Sequence, residues 1–594
     1  MFVKLLIYAV YLDEINFVNL IVVYMKRLFH LVTLAAVAAV LMIGCEKENP
    51  SPVDPDPQQG DTTNYLAFSA VEAGATVSME IVGQCEAPSL EYSTDLKKWT
   101  KFDFSKPQTI TLKNVGDKVY WRNTGKADTF SPADNENYIH FNLGSKKIAA
   151  SGNIMSLLDS ECEMAEMPED VAFIFLFRRD SMLVSAPELP ATKLSAACYY
   201  GMFVGCKSLE KAPELPAVEL SEYCYYSMFY ECTSLKRAPE LPATTLAPVC
   251  YFQMFAWCES LEEAPELPVL NLVDHCYTTM FHGCSSLKKA PELPAKNLAP
   301  YCYCTMFSEC TSLTETPELP ATDLSGAPYC YRDMFGGCTA LEQAPELPAT
   351  TLSTSCYSSM FNGCSNLDKI PGLPATELAE KCYFQMFIDC THLTEAPELP
   401  ATELKNSCYE FMFCNTALEE APVLPATSLT DSCYLAMFQE CTKLKKAPEL
   451  PATKMYTSCY QQMFLGCESL ETAPELPATE MAEVCYGFMF YDCSNLNHIK
   501  VAFKDWEGGD DATYDWLHGV AGTGNFECPD ELEVKYGPQY IPTGWSVNGA
   551  APVNTKGHAA PAAINTISVS HRKPLAPKTG EIWKEGADYR MVSL

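Results

Sequence analysis

A unit of 26 residues recurs twelve times between residues 186 and 500, and this period limits the folds open to the chain more than any other feature. One unit, from Ala212, reads APELPAVELSEYCYYSMFYECTSLKR, and the next, from Ala238, reads APELPATTLAPVCYFQMFAWCESLEE. The first cysteine of each unit stands at 198, 224, 250, 276, 302, 330, 356, 382, 408, 433, 459 and 485, a step of 26 broken once by 28 and once by 25. Segments this short bury apolar surface only against the copy before and the copy after, so they must stack along one axis and need end pieces that face water. Upstream, EDVAFIFLFRRDSMLVSAPELP keeps the register but has Ala172 and Asp180 at the two cysteine positions. Downstream, the twelfth unit runs into NHIKVAFKDW and loses Pro-Glu-Leu-Pro. Both ends read as caps.

Inside a unit, Leu220, Cys224, Met228 and Cys232 lie four apart with Tyr225 and Phe229 beside them, which predicts one apolar stripe on a helix of about three turns. Thr244, Thr322 and Thr350 stand where an N-cap would be. The segment Leu235–Pro242 is extended, and its two prolines each remove an N–H, so at most about three or four residues per unit are expected in parallel strand. Strands stack about 4.8 Å apart and helices about 8 to 10 Å, so an array of such units is expected to curve, strands on the inner wall. The predicted fold is multidomain, with an α/β solenoid over residues 186–500, an N-terminal cap over 151–185 and a C-terminal cap over 501–548.

The regions before the array read differently. From Met25 the chain reads MKRLFHLVTLAAVAAVLMIGC, a basic start and an apolar run ending on Gly44-Cys45. This is a secretory signal over residues 25–44, and it makes residues 1–24 a mis-assigned start. The alternative, a first membrane helix, is interrupted by Asp13, Glu14 and Asn16. Residues 45–63 are Pro-rich and acidic, a tether. Residues 64–150 alternate with period two through seven short segments, which implies a small immunoglobulin-like β-sandwich. Its Trp99, Tyr120 and Trp121 suit either a sugar-stacking platform or core and cross-strand packing, the commoner role. Residues 549–594 are Ala-, Pro- and Lys-rich, a tail to which no role is assigned.

The motif MFxxCxxL, as in Met228–Leu235, together with the Leu-Pro closing each extended segment, resembles the repeats of BspA-like leucine-rich-repeat surface lipoproteins of Bacteroidetes-type bacteria. The Gly-Cys pair resembles the lipobox of bacterial lipoproteins, which implies lipid on Cys45. A unit of 26 residues is longer than is usual in that family, and Cys-Tyr replaces the commoner Ile-Gly. The resemblance implies adhesion or macromolecular recognition at the cell surface or outer membrane, and no reaction.

Two constellations recur with the unit. The paired cysteines lack the CxxC or histidine spacing of a zinc site, and twelve copies of a thiol without a matched base make no catalyst. They are either small buried fillers or oxidised pairs, and an in-register column favours the filler role. The second is a row of carboxylates, Glu188, Glu214, Glu240, Glu266, Glu292, Glu318, Glu346, Glu398, Glu449 and Glu475, broken by Gly372 and Val423. Neighbours about 5 Å apart repel by roughly 0.8 kcal/mol in water, so solvent, nearby Lys236 and Lys288, Ca²⁺ or a basic ligand must offset them. A solvated edge is the simpler account, and a ligand-facing column the sharper one. With 75 acidic against 41 basic residues, nucleic acid is disfavoured as a partner. The expected function is non-enzymatic binding of a protein or glycan, without a cofactor. The alternative is carbohydrate capture by the β-sandwich.

Overall fold

The computed structural model describes residues 64–551, apart from 128–129, 132–135, 169–172 and 508–510. The signal segment, Cys45, the tether, Ala172 and residues 552–594 therefore lie outside the described residues.

The first region is built of short strands: β1 (Leu66–Ala70), β2 (Ala75–Val82), β3 (Leu90–Ser93), β4 (Thr100–Lys101), β5 (Thr109–Leu112), β6 (Lys118–Asn123), β7 (Tyr138–Asn142) and β8 (Ile148–Ser151). One sheet runs β4-β3-β6-β1-β8 and continues into β9 (Leu183–Ser185); the other runs β5-β2-β7. Alternation along β6 turns Val119 and Trp121 inward, fully buried, and leaves Tyr120 and Arg122 on the other face. Phe68 of the first sheet meets Phe141 of the second edge-on at 4.7 Å, and Trp121 meets Phe141 at 5.3 Å. The eighth strand, IAAS, was missed because two alanines carry little alternation signal.

This region runs into the repeats without a gap in the core. β8 pairs in parallel with β9, and single parallel bridges link Tyr65 to Asn153 and Asn153 to Glu188. The ring of Phe141 stacks on Phe177 at 5.6 Å, and Phe177 on Phe203 at 5.3 Å. From there one phenylalanine per unit continues the column to Phe490, with neighbours 5.5 to 5.9 Å apart and planes within 10°. A parallel tyrosine column runs from Tyr199 to Tyr486. Full burial of each such ring is worth about 1.5–3 kcal/mol, so both columns contribute favourably to every unit beside its buried leucines and methionine.

The predicted helix is absent. Among the described residues there is no α-helix, and the only regular helical element is the 3₁₀ turn Ile154–Leu157. In place of the helix each unit has a ribbon of consecutive tight turns. Cys198, Tyr200, Met202, Val204 and Cys206 donate their N–H to the carbonyl three residues back. The alternate residues Ala197, Tyr199, Gly201, Phe203 and Gly205 donate to Glu222, Cys224, Tyr226, Met228 and Tyr230 of the next unit. Every amide of the ribbon is thus satisfied, half of them across the unit boundary.

Every fourth residue of the ribbon takes a left-handed conformation, as at Tyr223, Ser227 and Glu231 with φ of 59°, 50° and 59°. Glycine fills only some of these positions; Val249 and Thr279 adopt φ of 59° and 58°, which costs a β-branched residue roughly 1–2 kcal/mol. Column packing and inter-unit bonds offset that cost. The physical reason for a ribbon over a helix is spacing. The opposite wall stacks at the distance of a parallel bridge, which helices about 8–10 Å apart match only by bending the array and a turn ribbon matches directly. With rings 5 to 6 Å apart on the ribbon side, the premise for the expected curvature is removed.

The extended segment shows isolated parallel bridges on each side of Pro-Glu-Leu-Pro, such as Arg237 with Glu263 before it and Lys193 with Glu219 after it. Thr244, Thr322 and Thr350 have no helix to cap and stand exposed. The 28-residue step is absorbed at Ser325-Gly326, where the Asp323 carboxylate accepts the Ser325 N–H at 3.0 Å. The array closes on a parallel sheet of β10 (His498–Lys500), β11 (Asn525–Glu527) and β12 (Ser546–Val547), under the buried rings of Trp516 and Trp545.

Candidate functional site

The chemistry available to the repeats sorts into buried and exposed columns. All 28 cysteines among the described residues are free thiols, and the repeat pairs are buried. The second thiol of a unit has a definite partner. Cys232 Sγ donates to the Phe203 carbonyl at 3.2 Å, Cys258 to Phe229 at 3.1 Å and Cys284 to Phe255 at 3.2 Å, and the pattern continues to Cys493. Each is a link from one unit to the carbonyl of the unit before it. Burial pushes these thiols far above their ordinary range, to about 11 at Cys441, so they are inert as nucleophiles. In the unit at Cys408 the column has no gap: Thr416 stands in it, its hydroxyl donating to Phe413 O at 2.9 Å and lying 3.3 Å from Cys441 Sγ. Cys414 occupies the position held by Tyr230 in the second unit.

The exposed columns come from Pro-Glu-Leu-Pro-Ala-Thr. Alternation along this extended segment turns Leu215 and Ala217 inward and leaves Glu214 and Pro216 outside. The ten glutamates predicted to share one position do so, and every one is exposed. Two have partners: Glu188 accepts the Asn64 side-chain N–H at 2.6 Å, and Glu475 pairs with Lys500 at 2.7 Å. Among the described residues Lys236 and Lys288 form no ion pair with the column. Their basic neighbours serve a flanking row instead, where Arg237 meets Glu263 at 2.6 Å, Lys289 meets Glu315 at 3.6 Å and, in a later unit, Lys446 meets Glu420 at 3.8 Å. These exposed pairs contribute little each, but opposite charges facing across a unit boundary favour the in-register stacking. No group of three or more acidic, histidine or cysteine side chains converges as a metal would require, among the described residues.

The aromatic platform does not assemble. Trp121 is core, Tyr120 lies on the opposite face of β6, and the ring of Trp99 is covered by the Arg122 guanidinium at 3.9 Å.

Comparing the copies separates the two walls. The exposed glutamate position keeps Glu in ten units of twelve, and the exposed position four residues on keeps Thr in nine. The ribbon position two residues after the first cysteine, half-buried or buried in every unit, by contrast reads Tyr200, Tyr226, Phe252, Thr278, Cys304, Arg332, Ser358, Phe384, Glu410, Leu435, Gln461 and Gly487. A partly buried position thus varies more from unit to unit than the exposed glutamate position does. A signal that sequence reading passed over sits in the flanking row, where Arg237, Glu263, Lys289 and Glu315 alternate in sign at the unit spacing.

Residues 306–445 and 407–506 match the family described as the BspA type leucine rich repeat region, in six copies. Residues 306–506 are therefore a BspA-type leucine-rich repeat region; units one to four, which carry the same motif, lie outside the matched span. Repeats of this type point to a protein-binding repeat protein. No curated protein matches the chain.

Proposed function

We propose that this chain is an exported, non-enzymatic surface lipoprotein of the Bacteroidetes type, held through lipid on Cys45, that recognises a protein partner along its stacked repeats. The observation that carries the reading is the wall of exposed, repeated glutamate and threonine, a uniformity that packing does not demand. A formal net charge of −34 and a column with few internal cations favour a basic partner. Sugar capture by the N-terminal sheets is disfavoured, since Trp121 is buried and Trp99 covered.

Affinity capture by the mature chain from Cys45 tests the binding role. Reversing Glu240, Glu266, Glu292 and Glu318 to lysine is expected to abolish capture of a basic partner while leaving the unfolding midpoint unchanged. Capture that survives the reversal, or a chain that captures only glycans, would contradict it. Labelling with radioactive palmitate, lost in Cys45→Ala, tests the anchor.

A further inference from the structure

The glutamate column is interrupted at Gly372, and the interruption opens a recess. Two departures from the unit pattern occur together there: the position before Pro371 is Ile370 where ten units have alanine, and Glu is replaced by Gly372. Neither backbone nor packing requires this glycine. Its φ lies outside the left-handed region, and a Cβ built on it would meet nothing within 4 Å. The fold tolerates a glutamate here, as ten other units show, so the missing side chain calls for another explanation.

The recess has a volume of about 290 Å³, at the lower limit for small-molecule pockets and suited to a single side chain. Its walls are Ile370, Pro371 and Pro397; on its rim stand the exposed carboxylates of Asp368 and Glu395 against one cation, Lys369. In the column itself, Glu346 of the preceding unit and Glu398 of the following one stand on either side. An apolar slot with a negative rim suits a side chain that has a methylene stem and a cationic head.

We propose that the recess at Gly372 seats one long basic side chain, arginine or lysine, of a partner polypeptide. The stem lies on Ile370, Pro371 and Pro397, and the head reaches Asp368 and Glu395. The proposal rests on the protein-binding reading and names the chemistry of one anchor within it.

The test is saturation-transfer NMR on the mature chain with N-acetylarginine methylamide as the probe, which needs no identified partner and so separates this inference from the wider reading. Saturation of the probe's methylene protons is expected, and it is lost in Gly372→Glu. Gly372→Glu restores the sequence of ten folded units, so an unchanged unfolding midpoint is the control. No transfer in the unaltered chain, equal transfer in Gly372→Glu, or equal transfer to N-acetylnorleucine methylamide would overturn the proposal.

Discussion

The two walls of each repeat solve the same problem in opposite ways. The ribbon wall carries five inter-unit backbone bonds, left-handed residues and fully buried rings, and its ring positions are uniform while the half-buried or buried position two residues after the first cysteine varies. The proline wall carries isolated bridges, because each proline has removed a donor, yet its outward positions are nearly as uniform as its core. Uniformity on the first wall is explained by packing. On the second it is not, since the repeated glutamate and threonine are exposed, and the recognition proposed for this chain rests on that contrast.

Substitutions on each wall put this division at risk. Phe281 stacks between Phe255 and Phe307 at 5.7 and 5.6 Å, and Phe281→Ala is expected to cost about 3–5 kcal/mol, read by denaturant unfolding. A loss below about 1 kcal/mol would mean that the ring column does not hold the stack. Two glycines make the next contrast. Gly283 has φ of 72°, and a Cβ there would lie 2.6 Å from Trp257, so Gly283→Ala should cost roughly 1–3 kcal/mol. Gly372→Ala, on the other wall, should be neutral or stabilise by about 0.4–1 kcal/mol.

Asp180 sharpens the boundary with the N-terminal sheets. It stands where later units have cysteine, buried, with Oδ1 accepting the Leu143 N–H at 2.9 Å and Oδ2 unpartnered. Burial holds its carboxyl well above the ordinary 3.8, and the bond from Leu143 opposes this only in part. The folded state therefore binds this proton more tightly than the unfolded chain. The group favours folding most below pH 3.8, and the benefit is lost as pH rises toward the folded value. Asp180→Asn should raise the thermal midpoint by a few degrees at pH 7 and by nothing at pH 3; an equal rise at both would rule out the titration. The smallest effect is expected from Glu266→Gln, within about 0.5 kcal/mol of the unaltered chain, since that side chain is exposed.

Much of this was legible in the sequence. The period placed the units and the shared glutamate position, because a stack repeats whatever its module repeats. The helix was a misreading of a visible signal. Leu220, Cys224, Met228 and Cys232 are four apart without drift, whereas an α-helix of 3.6 residues per turn rotates such a row by about 40° at each step. A strict period of four with adjacent buried pairs, Cys-Tyr and Met-Phe, belongs to the turn ribbon. Nothing local marked the left-handed positions, which hold Tyr223, Gln253 and Glu309 as readily as glycine, because inter-unit bonds impose that conformation on whatever residue is there. The thiol bonds were equally hidden, since their acceptor is a backbone carbonyl 29 residues earlier.

Removing residues 343–368 tests the stacked arrangement most directly. The segment is one whole period, and it brings Gly337 against Asp389, replacing Gly363, a glycine in the same column. A shortened chain that unfolds cooperatively, with amide exchange in the flanking units unchanged, is the predicted result, while removal of residues 343–355 alone should unfold both neighbours. If the full-period deletion fails to fold, or the half-period deletion is tolerated equally well, the units are not joined as nearest neighbours in register.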